Sequence, residues 1–186
     1  MDEYLLGRCS FAEQRRRRMR VFLPEVDLPV PADAVLDALI AEYVQSYERA
    51  WKVYPDAAAC LRRLRALPTR PALAVVTNGD SHQQRAKLAR TGLAAAFENV
   101  FTSEELGVAK PAAESFLGAC ARLGSAPNQT VFVGDWLEVD ALAACAAGLQ
   151  GVWLDREHSG RPCAPALRVS SLDELVDGVA ASIPRS

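Results

Sequence analysis

A chain of 186 residues, half of them hydrophobic, is long enough for one domain, or one domain with a small appendage, around a sizeable core. Its formal net charge of −2 gives no general attraction to nucleic acid or to an anionic membrane. The five cysteines, odd in number and without a Cys-x-x-Cys pair, argue against a disulfide framework or a zinc site and for a reducing, cytoplasmic setting. No run approaches the length of a membrane span. The Arg-rich beginning is interrupted by Asp2, Glu3 and Glu13 and leads into no apolar signal core, so no targeting peptide is expected.

The first fifty residues read as helical. Ser10 and Glu13 have the spacing of a capping box. Phe11, Met19, Phe22 and Leu23 supply part of an apolar stripe, and Pro24 is expected to end the helix. Arg15 to Arg18 and Arg20 spread over several helix faces, which suits ion-paired surface better than one anion patch. A second helix is expected from residue 33 to about 51, with Val35, Leu36, Leu39, Ile40, Tyr43, Val44 and Tyr47 on its apolar face. Pro55 is placed as the first residue of a third helix carrying Leu61, Leu64 and Leu67 and stopping at Pro68.

From residue 71 the rhythm changes to alternating strand and helix. Short apolar strands are expected at 72–76, 100–102, 131–133 and 151–154. Asp80 or Ser81 can cap the helix that runs to Gly92. Lys110-Pro111 opens another, with Phe116, Leu117, Cys120 and Leu123 inward and Gly124 as its end. Asp140 begins a helix of small residues that closes at Gly148, and an amphipathic helix starts near Ser171. Such alternation implies right-handed crossovers and a mainly parallel sheet.

Chemistry-bearing residues fall at or just beyond the ends of three of these strands, where open α/β sheets bind their ligands. Thr77 and Asn78 follow the first. Lys110 ends the loop after the second. Asp135 and Asp140 follow the third, in Val131-Phe132-Val133-Gly134-Asp135-Trp136-Leu137-Glu138-Val139-Asp140. A hydroxyl, a backbone amide, an ammonium and two carboxylates are the parts needed to hold a phosphoryl group beside Mg²⁺. By itself the last motif reads equally well as a turn at Asp135 and a helix cap at Asp140. His82 and His158 read as surface, Cys145 as core, and Trp136 as either the mouth of the site or packing.

The segments Val75-Val76-Thr77-Asn78-Gly79, Val108-Ala109-Lys110-Pro111 and Val131 through Asp140, with Gly148 to Asp155, resemble the haloacid dehalogenase (HAD) superfamily of hydrolases, in its helical-cap subgroup. The resemblance implies an α/β, Rossmann-like three-layer domain at 53–186 and a partial helical cap at 1–52. It implies that the Thr77 hydroxyl and the Asn78 amide bind the phosphoryl group and that Lys110 neutralises charge. Asp135 would be a ligand of Mg²⁺, with Asp140 supporting the metal directly or through water. The substrate class implied is a small phosphorylated metabolite.

One departure stands out. The superfamily carries Asp-x-Asp-x-Thr at the end of its first strand, with the first Asp as nucleophile, and no Asp-x-Asp occurs anywhere in these 186 residues. In the superfamily that strand lies centrally, between the strands ending at Thr77 and at Asp135. With this first strand missing, the chain is expected to be inactive, or nearly so, and marginally stable unless something else fills the position. The alternatives are a non-catalytic phosphate- and metal-binding module, a homo-oligomer or strand-donating partner that completes the sheet, or a longer active enzyme of which Met1 is an internal residue.

Overall fold

The computed structural model describes residues 9–181, so Asp2 and Glu3 lie outside it, as does the side chain of Phe11. The chain divides into two compact units, Met1–Lys52 and Val53–Ser186. No helix among the described residues is long and apolar enough to cross a membrane.

In the first unit, α1 (Phe11–Glu25) starts at Ser10, whose hydroxyl accepts from the Glu13 amide at 3.2 Å. Pro24 lies inside its last turn rather than at its end, and the helix stops one residue later at Glu25. Against α1 packs α2 (Asp33–Arg49), and the pair is laced by Arg16–Asp37 at 2.6 Å and Arg20–Asp33 at 2.7 Å. Arg17 reaches Glu13, so these arginines form ion-paired surface, as their spacing implied. The apolar stripe expected on α2 is enclosed only at Leu36. Val35, Leu39, Tyr43 and Tyr47 stay exposed, because the seam between two helices is narrow.

The second unit opens with α3 (Ala57–Arg65), which begins two residues after Pro55. Asp56 just ahead of it accepts a two-pronged bond from Arg156, 3.0 Å on each oxygen, and the Leu172 amide at 3.0 Å. The Arg156 guanidinium holds the Asp56 carboxyl below its ordinary range. This clasp ties the entry of α3 to the loop that carries Arg156 and to the helix that begins at Leu172.

Among the described residues five strands form two parallel sheets. β1 (Ala74–Thr77) pairs with β2 (Asn99–Thr102), Thr77 opposite Thr102. β3 (Val131–Gly134) pairs with β4 (Gln150–Leu154), which pairs with β5 (Leu167–Val169). No ladder joins β1 to β3 among the described residues. The consequence is visible in burial: β4 is enclosed at Gly151, Val152 and Trp153, whereas β1 and β3, each paired on one side only, stay half-buried or exposed. β5 was not expected. Three residues with a central arginine carry too little periodicity to announce a strand.

Helices cover both faces of the larger sheet. Cys60 of α3 and Leu175 and Val176 of α8 (Leu172–Ala181) cluster with Val152, and Val133 packs beside them. On the opposite face Phe116 and Cys120 of α6 (Ala113–Leu123) join Ala144 of α7 (Ala143–Ala146) and Leu149, with Phe132 packed against them. Neighbouring residues 132 and 133 thus point to opposite faces, as the period of a strand requires. This is the three-layer, Rossmann-like arrangement. Leu117, expected inward on α6, is 40% exposed; α6 buries the face of Phe116, Ala119 and Cys120 instead.

The smaller sheet is followed by α4 (Ser81–Arg90) and by the four-residue α5 (Ser103–Leu106), read from the sequence as loop. α5 begins with a capping box between Thr102 and Glu105, a pattern visible in the sequence but overshadowed by the run's brevity. Around Gly151, close packing dictates the residue: an added Cβ would lie 2.1 Å from the Ala141 carbonyl oxygen. Cys145 packs at the same contact as part of the core.

Candidate active site

The site assembles where β1 and β3 end. β1 delivers Thr77, and the chain then turns through Asn78 and Gly79, whose amide donates to the Ser103 hydroxyl at 3.0 Å. Asp80 is the residue that caps α4, accepting from the Gln83 amide at 2.7 Å. Between these anchors the Asn78 carboxamide reaches across to Lys110. Its Nδ2 donates to the Lys110 carbonyl at 2.8 Å, and its Oδ1 accepts from the Lys110 amide at 2.9 Å. Asn78 therefore binds the Lys110 main chain as a neighbouring strand would, satisfying both of its backbone groups.

Held at its backbone, Lys110 sends its ammonium to Asp140, 2.6 Å from Oδ1, and over the Phe132 ring at 5.2 Å. The two side chains are only 12% and 7% exposed. A buried pair is tolerable only where the remaining lone pairs are also served. Here Asp140 Oδ2 accepts from the Trp136 amide at 3.2 Å.

Asp140 does not begin a helix, as the spacing suggested. The helix starts earlier, with a π-helical turn over Leu137–Leu142, and Asp140 lies within it, 5% exposed. The wider turn brings the carboxylate back over the strand end. A Cβ on Gly134 would sit 2.3 Å from the Asp140 Cβ, so only glycine leaves room for the carboxylate there. Wide turns of this kind are frequent at functional sites.

Asp135, between these two neighbours, is exposed. Its carbonyl accepts from the Trp153 indole at 3.0 Å, which fixes its backbone. Neither its carboxylate nor the Thr77 hydroxyl has a hydrogen-bond partner among the described residues. Asn78, Lys110 and Asp140 are thus joined by direct bonds, with Thr77 next to Asn78 in the chain and Asp135 five positions before Asp140. Together Lys110, Asp135 and Asp140 leave one net negative charge at the rim. His82 and His158 are exposed, in accord with surface roles. Trp136 is 63% exposed, which excludes the packing role. The bridging carboxamide of Asn78 was not foreseen, because its partner lies 32 positions away and nothing local marks it.

A parallel α/β unit with its polar residues gathered at the carboxyl ends of the strands has the form of the open-sheet enzymes. The chain belongs to the haloacid dehalogenase-like hydrolases: that family's model matches residues 11–148. It is 37% identical over 138 residues to a phosphoserine phosphatase of Thermus thermophilus, covering 73% of this chain and 55% of that protein. It is 33% identical over 155 residues to a glyceraldehyde 3-phosphate phosphatase of Methanopyrus kandleri, covering 80% and 66%. The chain thus spans between about half and two thirds of the length of these relatives. The magnesium-bound structure of the putative HAD-hydrolase YfnB of Bacillus subtilis superposes with a TM-score of 0.79 at 24% identity, over 96% of this chain and 76% of that one, which establishes the fold.

Among the described residues no three His, Cys, Asp or Glu side chains form a closed metal cage. Magnesium needs none, since it keeps several waters and takes one or two carboxylates together with substrate phosphate oxygens. The exposed carboxylate of Asp135, without a hydrogen-bond partner among the described residues, fits that requirement, with Asp140 five positions further along the chain as the second carboxylate.

Proposed function

We propose that the Val53–Ser186 unit carries the phosphoryl- and magnesium-binding half of a phosphatase site for a small phosphorylated metabolite, and that the Met1–Lys52 unit is part of a helical cap. The observation that carries this reading is the buried Lys110–Asp140 pair, bound through Asn78 to the end of β1. Both relatives named above act, by their names, on small phosphate esters.

In this reading Asp135 and Asp140 hold Mg²⁺, which when bound screens the charge of the phosphate oxygens. Thr77 donates its hydroxyl, and Asn78 its backbone amide, to the phosphoryl group. Lys110 faces the same group while keeping Asp140 in place. What these residues do not supply is a nucleophile. Lys110 is committed to Asp140, Asp135 to the metal, and no Asp-x-Asp occurs in the sequence. The 186-residue chain on its own binds without turnover.

The split sheet favours one refinement. β1 and β3 each keep an unpaired edge among the described residues, and an extended segment from another chain, including a second copy, can add there by backbone pairing.

Calorimetric titration of inorganic phosphate into the protein tests the binding site. With Mg²⁺ present, binding is expected, and Asp135→Asn is expected to remove its metal dependence. Thr77→Val is expected to weaken binding about tenfold, the loss of one hydrogen bond to a charged group. Phosphate binding indifferent to Mg²⁺ and to both substitutions would overturn the assignment.

A further inference from the structure

Trp136 is left without a task by the cradle just described. It is 63% exposed, a large solvent-facing area for an indole, yet everything around it is fixed. Its amide donates to the buried Asp140 carboxylate at 3.2 Å. The carbonyl of the preceding residue, Asp135, accepts from Trp153 at 3.0 Å. The following residue, Leu137, is 3% exposed within the cluster of Ala141, Trp153 and Ala166.

An aromatic face on so rigid a backbone, one residue from the metal-binding carboxylate, is pre-organised for contact with whatever is attached to the phosphate. Stacking asks little else of a ligand, because every nucleobase presents a π-face. A base attached through a ribose to a 5′-phosphate carries such a ring one sugar away from the group that Lys110 and Asp135 hold. Short aliphatic phosphate esters have no ring to offer.

We infer that Trp136 is the stacking platform for the organic part of the ligand and that the site takes nucleoside 5′-monophosphates in preference to aliphatic phosphate esters. This rests on the phosphoryl cradle proposed above and adds its substrate class.

Calorimetry on the full chain with Mg²⁺ separates the two, with uridine 5′-monophosphate and glycerol 3-phosphate as probes. Uridine monophosphate is expected to bind about tenfold more tightly, the usual effect of one stacked base. Trp136→Ala and Trp136→Leu are expected to erase that advantage while leaving glycerol 3-phosphate unchanged, and Trp136→Phe to keep most of it. Equal binding of both probes by the unaltered chain overturns the inference. So does an advantage that survives Trp136→Ala, or a loss that falls equally on both probes, which would make Trp136 merely structural. If glycerol 3-phosphate binds and responds to Asp135→Asn while Trp136 has no effect, the cradle stands and only the platform falls. If neither probe binds, both fall.

Discussion

Replacing Lys110 by alanine is expected to lower the free energy of unfolding by about 3–5 kcal/mol, the usual cost of removing one partner from a buried ion pair. With Asp140 only 7% exposed, the change strands its carboxylate with one amide donor, that of Trp136. Against a net stability of about 5–15 kcal/mol for a domain, this is a large fraction. Much of the loss is the penalty of the unpaired charge rather than the worth of the bond, and the double change Lys110→Met/Asp140→Leu is therefore expected to recover most of it. Urea unfolding of the three proteins checks this. A loss below about 1 kcal/mol for Lys110→Ala would mean that the pair behaves as a solvated surface contact.

The 186-residue chain is expected to hydrolyse p-nitrophenyl phosphate with Mg²⁺ no faster than its own Asp135→Asn variant. Removing the nucleophile from a well-studied hydrolase costs on the order of 10⁶ in turnover, about 8 kcal/mol of barrier. In the proposed site Lys110 and Asp140 are paired with each other and Asp135 is assigned to the metal, which leaves none of these three to replace such a group. A carboxylate delivered by an added strand restores the missing chemistry in principle, since covalent transfer needs an acceptor as well as a cradle. Substantial turnover by the chain alone, abolished by Asp135→Asn, contradicts this expectation.

Much of the Val53–Ser186 unit was legible in its sequence because strand and helix periods alternate cleanly there. Val131-Phe132-Val133 leading into Gly134-Asp135 gives both the strand and the place of its carboxylate. The position of Asp140 was less legible. A π-helical turn has no residue signature of its own, so the spacing suggested a helix cap where the chain forms a buried ion pair. Leu117 and the stripe on α2 misled for a related reason: periodicity identifies an apolar face but not how much of it a neighbour covers. The role of the Asn78 carboxamide is a long-range matter. It depends on where Lys110 arrives, and only the folded chain decides that. The same holds for the two sheets, since each strand's period shows that it is a strand and not which partner it finds.

A crystal structure of the chain with Mg²⁺ and inorganic phosphate bound would test the central claim most directly. The expected result has the metal on Asp135, with Asp140 contributing directly or through water, and the phosphate in contact with the Thr77 hydroxyl and the Lys110 ammonium. A metal and phosphate bound away from these residues, or Lys110 and Asp135 facing opposite sides of the protein, would contradict it.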